Sequence, residues 1–306
     1  MAVKLAFSTV ACPDWTLAEV LEQAKQMGYE GVELRTLGTG SSALASDPAL
    51  AQPQKVRRLL DDSGVAPVCL STSVALHHRD SADAQRADQQ ALAYLDLASQ
   101  IGCPQLRVFG YKVRPGQNRQ AVIQQIAQRA KPLVDRAAEQ GVRLLFENAG
   151  SFNRAKEWWW LFNLIDHPMI GMCWNVANAA AAGEPPSVSV PCLNTRIHLA
   201  KVKDTHIGEG SGFVGLGSGT VGVQEFVKRL LGVGFDGFIT FEWDRLWLPS
   251  LAPAQEVLPE AHKRLAGWLE DIGKAAKGFT DAEPMNKALK KLLEAASKRA
   301  DQPASV

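Results

Sequence analysis

Short apolar runs alternate with longer stretches of helical periodicity along most of the chain. Eight such runs occupy residues 4–8, 31–35, 66–71, 105–109, 143–148, 170–176, 197–204 and 237–243. Between them, apolar residues recur at helical spacing over 16–27, 83–101, 118–139 and 223–231, and Thr16-Leu17-Ala18-Glu19 opens the first of these as a capping box. Strands that alternate with helices predict βα units and a parallel sheet rather than a sandwich. The junctions repeat too. Gly28-Tyr29-Glu30-Gly31 leads into the second run and Gly234-Phe235-Asp236-Gly237 into the eighth, while Gly64, Gly102 and Gly141 precede the third, fourth and fifth. Each glycine suits a helix C-cap. One recurring unit, counted eight times, predicts an α/β fold of the (β/α)8 TIM barrel class. A doubly wound open sheet is the alternative, but no GxGxxG follows the first run, where a dinucleotide fold needs its phosphate turn.

Length and composition set the number of domains. A chain of 306 residues, 46% hydrophobic and 21% charged, exceeds the roughly 250 residues of a typical barrel by little more than a tail. The expected division is a barrel over 1–273 and a helical extension over 274–306. In the extension Pro284 suits a first helical position. Met285, Ala288, Leu289, Leu292, Leu293 and Ala296 then share one face, while Lys287, Lys290, Lys291, Lys298 and Arg299 fall elsewhere. Such a helix is expected either to cover apolar surface in cis or to join another copy in a homo-oligomer.

A net charge of +1 supplies no field that would draw the protein to nucleic acid or to a membrane surface, so a small-molecule partner is expected. The five cysteines are odd in number, scattered and free of CxxC spacing, which fits neither a disulfide framework nor a zinc ribbon and suits a reducing cytoplasm. The opening residues up to Cys12 read as a first strand, because Thr and Ser interrupt an apolar stretch too short for a leader. No run approaches the about 18 to 20 apolar residues of a membrane span.

In a barrel of this class the reactive groups stand at the C-terminal ends of the strands. The fifth run closes as Leu144-Leu145-Phe146-Glu147-Asn148 and the eighth as Phe238-Ile239-Thr240-Phe241-Glu242-Trp243. A carboxylate directly after such a run is costly unless it meets a cation, a metal or a donor, and a salt bridge at the rim is the plainer alternative to chemistry. In the seventh run Lys201 and Lys203 share a face with Leu199. If that face points inward, Lys201 is a buried ammonium among carboxylates; solvent exposure is the alternative.

These strand ends resemble those of the sugar phosphate isomerase/epimerase superfamily, the xylose isomerase-like barrels, over roughly residues 3–270. The resemblance rests on Leu5-Ala6-Phe7-Ser8 with Gly28-Tyr29-Glu30-Gly31-Val32-Glu33, on Phe146-Glu147-Asn148, on Lys203-Asp204, and on Gly215-Leu216-Gly217-Ser218-Gly219 with Gly234-Phe235-Asp236-Gly237. It implies a divalent metal held by a glutamate, an aspartate, a histidine and a glutamate on successive strands. The corresponding positions here are Glu147, Asn175, Lys201 and Glu242, and a further histidine of many members is Ala149. The metal positions Glu147, Asn175 and Glu242 therefore carry fewer negative charges than the family set, and Lys201, which accepts nothing while protonated, is expected to stand where the metal would.

The activity implied is isomerisation or epimerisation of a sugar or a sugar-like hydroxy-carbonyl compound through an enediolate. Glu147 and Glu242 would be the acid/base pair and Lys201 the electrophile. Glu33, Arg107, Asn178 and Lys203 are candidates for substrate hydroxyls or a phosphate. His206 is the best placed of six histidines, the others being His77, His78, His167, His198 and His262. Of Trp158-Trp159-Trp160, part is expected to pack between helices and one ring to line the mouth. A dehydratase acting on a polyol ketone with the same carboxylates, and a barrel that has lost catalysis and binds a carbohydrate or a protein, are the competing readings. The apurinic-site endonucleases of the same superfamily need a histidine-rich zinc cluster that these strand ends lack, and the charge carries no basic stripe.

Overall fold

In the computed structural model, which describes residues 3–36, 52–78, 81–208, 212–280 and 291, the eight apolar runs become the strands of a closed parallel barrel. They are β1 (Lys4–Ser8), β2 (Gly31–Leu34), β3 (Ala66–Ala75), β4 (Gln105–Phe109), β5 (Arg143–Glu147), β6 (Ile170–Asn175), β7 (Ile197–Val202) and β10 (Phe238–Phe241). The short strands β8 (Asp204–Thr205) and β9 (Phe213–Val214) pair with each other, antiparallel, outside the barrel. Around the ring the strands follow chain order, and β10 closes on β1.

The intervening helices are α1 (Leu17–Met27), α2 (Pro53–Ser63), α3 (Ser81–Ile101), α4 (Arg119–Glu139), α5 (Ala155–Ile165), α6 (Val176–Ala181), α7 (Pro186–Leu193), α8 (Val223–Gly232) and α9 (Ala254–Thr280). Helix α1 shows how locally each unit is encoded. The Thr16 hydroxyl accepts from the Glu19 amide while the Glu19 carboxylate accepts from the Thr16 amide at 2.7 Å, so two otherwise orphan donors are satisfied at its start. Its end is Gly28 at φ 84°, a left-handed conformation that a side chain would oppose.

Parallel pairing sets which side chains share a layer inside the barrel. Ala6, Val68, Cys69, Leu145, Cys173 and Leu199 form one buried apolar cluster. Two residues further along their strands, by the alternation of strand side chains, stand Glu147 after Leu145, Asn175 after Cys173 and Lys201 after Leu199; the register sets Asn175 beside Lys201 and Lys201 beside Thr240. An apolar layer thus supports a polar one at the C-terminal ends. Outside the strands Phe146 packs on Trp158 at 5.4 Å between ring centroids. Burying an aromatic of this size stabilises the fold by about 1.5–3 kcal/mol, and it places Trp158 between sheet and helix.

The seventh run departs from its predicted length. Its strand ends at Val202, and Asp204 turns into the β8–β9 pair. The cause is the Asp204 carboxylate, buried and accepting backbone amides from Gly217 at 2.8 Å, Thr205 at 3.0 Å, Gly219 at 3.1 Å and Val221 at 3.3 Å. Gly219 has to be glycine here, because a Cβ would strike the Asp204 carboxylate and the Thr205 carbonyl.

The chain divides into two compact units, Met1–Leu265 and Ala266–Val306, the boundary falling within α9. The first holds the whole barrel. In the second, Lys274 pairs with Glu270 one turn away at 2.6 Å. The amphipathic pattern from Pro284 onward lies, Lys291 apart, outside the described residues. All five cysteines are free. No helix among the described residues is long and apolar enough to cross a membrane.

Candidate active site

Six strand ends bring one ion-pair network together at the barrel mouth. Lys201 is 2% exposed, and its Nζ lies 3.3 Å from Glu33 Oε1, 3.4 Å from Glu147 Oε2 and in direct contact with Glu242 Oε2. The other oxygen of Glu242 faces Lys203 Nζ at 2.6 Å, and Lys203 also reaches Asp244 at 2.7 Å. On the far side Arg107 Nε faces Glu147 Oε2 at 2.9 Å. Asn175 donates its amide to both Glu147 and Glu242 at 3.2 Å. Four carboxylates and three cations therefore form one buried unit.

The protonation states follow from this arrangement. Burial alone would lower the Lys201 pKa, but Glu147, Glu242 and Glu33 outweigh it and raise it well above the usual lysine value. Lys203 is raised for the same reason, burial being outweighed by Glu242 and Asp244. Burial would raise Glu242, yet Lys201 and Lys203 hold it far below the ordinary carboxylate range. Asp244 is shifted upward by burial and by the nearby charge of Glu242.

Neighbouring groups fix the strand ends. Asn148 staples β5 to β6: its side chain accepts from the Asn175 amide at 2.7 Å and donates to the Asn175 carbonyl at 2.9 Å. Asn178 donates to the Asn148 carbonyl at 2.7 Å, so it braces this staple. Ser71 donates to Glu33. Two acceptors at the cluster, Glu33 Oε2 and Asn175 Oδ1, are buried with no hydrogen bond among the described residues.

Of the residues singled out in the sequence, Glu33, Arg107, Glu147, Asn175, Lys201, Lys203 and Glu242 meet in this network. His206 does not join it; it is exposed on the loop after β8. His262 Nε2 donates to the Gly28 carbonyl, 3.0 Å away, and His198 is driven down to about 4 by burial and by Arg143. Sequence reasoning missed Arg35, Ser71, Asn148 and Asp244. The signal for two of them was alternation, since Arg35 follows Glu33 by two residues and Asp244 follows Glu242 by two.

Beside the network lies a cavity of about 540 Å³, with Arg35, Ser73, His77, Arg107, Tyr111 and Trp247 in its walls. Arg107 is the shared element, facing Glu147 with one edge and the cavity with another.

The network does not suit a divalent ion. Among the described residues no group of three or more His, Cys, Asp and Glu side chains is placed to hold one. The space between the glutamates is taken by the Lys201 ammonium, and the Asn175 amide points its donors at both carboxylates.

A sequence profile described as xylose isomerase-like TIM barrel matches residues 21–271. No curated protein matches the sequence significantly. Among solved structures the chain is similar to an L-ribulose 3-epimerase, with a TM-score of 0.77 and 15% identity over 92% of this chain and 99% of that one. It is similar to the IolI protein with a bound zinc atom, with a TM-score of 0.76 and 15% identity over 88% and 99%. It is also similar to a xylose isomerase-like TIM barrel/4-hydroxyphenylpyruvate dioxygenase fusion protein, with a TM-score of 0.73 and 21% identity over 89% of this chain but only 43% of that one. The chain thus spans less than half of the fusion protein. These likenesses establish a shared fold.

Proposed function

Since this chain belongs to the xylose isomerase-like TIM barrel family, we propose that it is an isomerase or epimerase of sugar-like hydroxy-carbonyl compounds in which the Lys201 ammonium replaces the divalent cation. The observation that carries this reading is the position of Lys201 Nζ, in contact with Glu242 and 3.3–3.4 Å from Glu33 and Glu147. The two buried acceptors without donors, Glu33 Oε2 and Asn175 Oδ1, support a hydroxyl-bearing ligand, because an unsatisfied buried oxygen costs about 1–3 kcal/mol that a substrate hydroxyl would recover. L-ribulose 3-epimerase, by its name, acts on such a compound.

The chemistry follows from the charges. The Glu147 carboxylate takes the proton from the carbon beside the carbonyl. The C–H electron pair becomes the enediolate double bond, and the carbonyl oxygen takes on negative charge. Lys201, fixed and protonated, donates to that oxygen. A preorganised donor of this kind is worth on the order of 10²–10³ in rate. Return of the proton from Glu147 to the former carbonyl carbon, together with transfer of the hydroxyl proton from the neighbouring oxygen to the enolate oxygen, gives isomerisation. Reprotonation from the opposite face gives epimerisation: Glu242, ionised at rest, takes a proton from Lys203 and passes it to the carbon, after which Glu147 releases its proton to solvent and Lys203 regains one. Lys203 and Asp244 hold Glu242 in place, and Arg107 orients Glu147. A monovalent ammonium stabilises the enediolate less than a divalent ion would, which favours substrates with an already acidified C–H bond.

The test is incorporation of solvent deuterium into a panel of ketoses and hydroxy-aldehydes, with a chelator present. Exchange that survives chelation and disappears in Glu147→Gln is the expected result. Exchange that depends on added metal would overturn the role given to Lys201. Product analysis separates isomerisation from elimination of water by the same first step.

A second reading, a barrel that binds a ligand without turnover, is favoured by one observation: both Glu147 and Glu242 are already paired with cations. No exchange on any substrate by the unmodified protein would support it.

A further inference from the structure

We propose that the cavity beside Glu147 is a subsite for an anionic group, a carboxylate or a phosphate, carried at one end of the substrate. The inference rests on the catalytic reading above and narrows its substrate class to hydroxy-carbonyl acids and sugar phosphates.

Two guanidinium groups face this cavity from the ends of β2 and β4, on either side of β3, on side chains that are only 3% (Arg35) and 4% (Arg107) exposed. Burying one such cation costs several kcal/mol unless acceptors surround it, and two side by side repel. Each is held in place from behind. Arg35 donates to Ser73 Oγ at 2.6 Å and lies over the Trp247 ring at 6.0 Å. Arg107 donates through Nη1 to the Thr72 carbonyl, faces Glu147 through Nε, and stacks on Phe109 at 4.2 Å. Its other terminal nitrogen makes no hydrogen bond among the described residues.

No acidic side chain among the described residues lines the cavity; the walls carry two arginines, two histidines, one serine and apolar or aromatic groups. A guanidinium donates and never accepts. A neutral sugar needs both roles, whereas a carboxylate or phosphate matches the planar fork of arginine with acceptors alone. The field points the same way. Burial, and after it the neighbouring His78, Arg114, Arg129 and Lys112, push His77 down to about 4. An anion held at this place meets the cavity edge of Arg107, whose Nε edge faces Glu147, so its capture also sets the reacting carbon near the base.

Titration calorimetry at low salt, with inorganic phosphate in one arm and glycolate in the other, tests the subsite without requiring turnover. The unmodified protein is expected to bind at least one of the two. Arg35→Gln should weaken that binding on the order of 10- to 100-fold, the effect of losing a charge-assisted hydrogen bond, and Arg35→Lys by less. Matching thermal melts show that the variants fold; if Arg35→Gln does not, Arg35→Lys and a salt titration of the unmodified protein carry the comparison. The arm that binds more tightly identifies the group. Failure of both anions to bind, or undiminished binding by Arg35→Gln, would overturn the subsite. Deuterium exchange lost in Glu147→Gln but without anion binding leaves the catalytic reading standing and removes the subsite. Anion binding without exchange does the reverse.

Discussion

Lys201 and Glu242 meet at the centre of the barrel mouth, and the carboxylate that Lys201 contacts is held from its other side by Lys203 at 2.6 Å. Neither partner is tolerable alone at this depth, since an isolated buried charge costs several kcal/mol and each relies on the others for compensation. The network consequently acts as one electrostatic unit, and its response to substitution tests that statement.

Lys201→Met keeps the length of the side chain and removes the charge, leaving Glu33, Glu147 and Glu242 close together. A loss of about 3–5 kcal/mol in urea denaturation is expected. The uncompensated carboxylates acquire raised pKa values in the folded state. Stability from such groups is present at low pH and lost as pH rises, so the deficit relative to the unmodified protein should be larger at pH 8 than at pH 5.

Restoring the family's donor set should restore metal affinity. The pair Lys201→His with Asn175→Asp removes a cation and adds an anion and an imidazole where thiol-free divalent sites need them. Calorimetric titration with manganese or zinc is expected to show at least about tenfold tighter binding than the unmodified protein. Equally tight binding before and after the change would sink the assignment of Lys201 to the cation position.

Asp204 is a structural carboxylate, for it accepts four backbone amides between Thr205 and Val221. Asp204→Asn preserves shape and removes the charge from these bonds. A loss of about 1.5–3 kcal/mol in chemical denaturation is expected, together with faster amide exchange at Gly217 and Gly219.

Acid should destabilise the protein through two histidines. Burial leads the depression of both His77 and His198 to about 4, helped by nearby cations. The unfolded chain binds these protons near pH 6.5, so between about pH 6.5 and 4 it carries more protons than the folded chain and stability falls as pH falls. Thermal melts across this range should show the slope, and His77→Gln with His198→Gln should flatten it.

Much of this is legible in the amino-acid sequence. The alternating runs and their glycine junctions predict the repeating unit of a barrel because each unit is stabilised locally, by caps and by apolar spacing, as the Thr16–Glu19 box and the turn at Gly28 illustrate. Glu147 and Glu242 stand out as acids that end apolar runs, and Leu199 sets the face of Lys201 by strand alternation. His206, near the same strand end in the chain, points elsewhere because Asp204 pulls the backbone out of the barrel.

The sequence by itself determined where the strands and helices fall and which strand residues share a face, since these depend on interactions within a few positions. Only the tertiary structure decided which charges meet. Arg107 reaches Glu147 from one neighbouring strand, Lys201 reaches Glu33 across the mouth, and Arg35 and Arg107 converge on one cavity. Those pairings depend on the closure of the ring and on its register. Coulomb interaction is set by distance in space, and residues 33, 107, 147, 201 and 242 become neighbours only when β10 closes on β1.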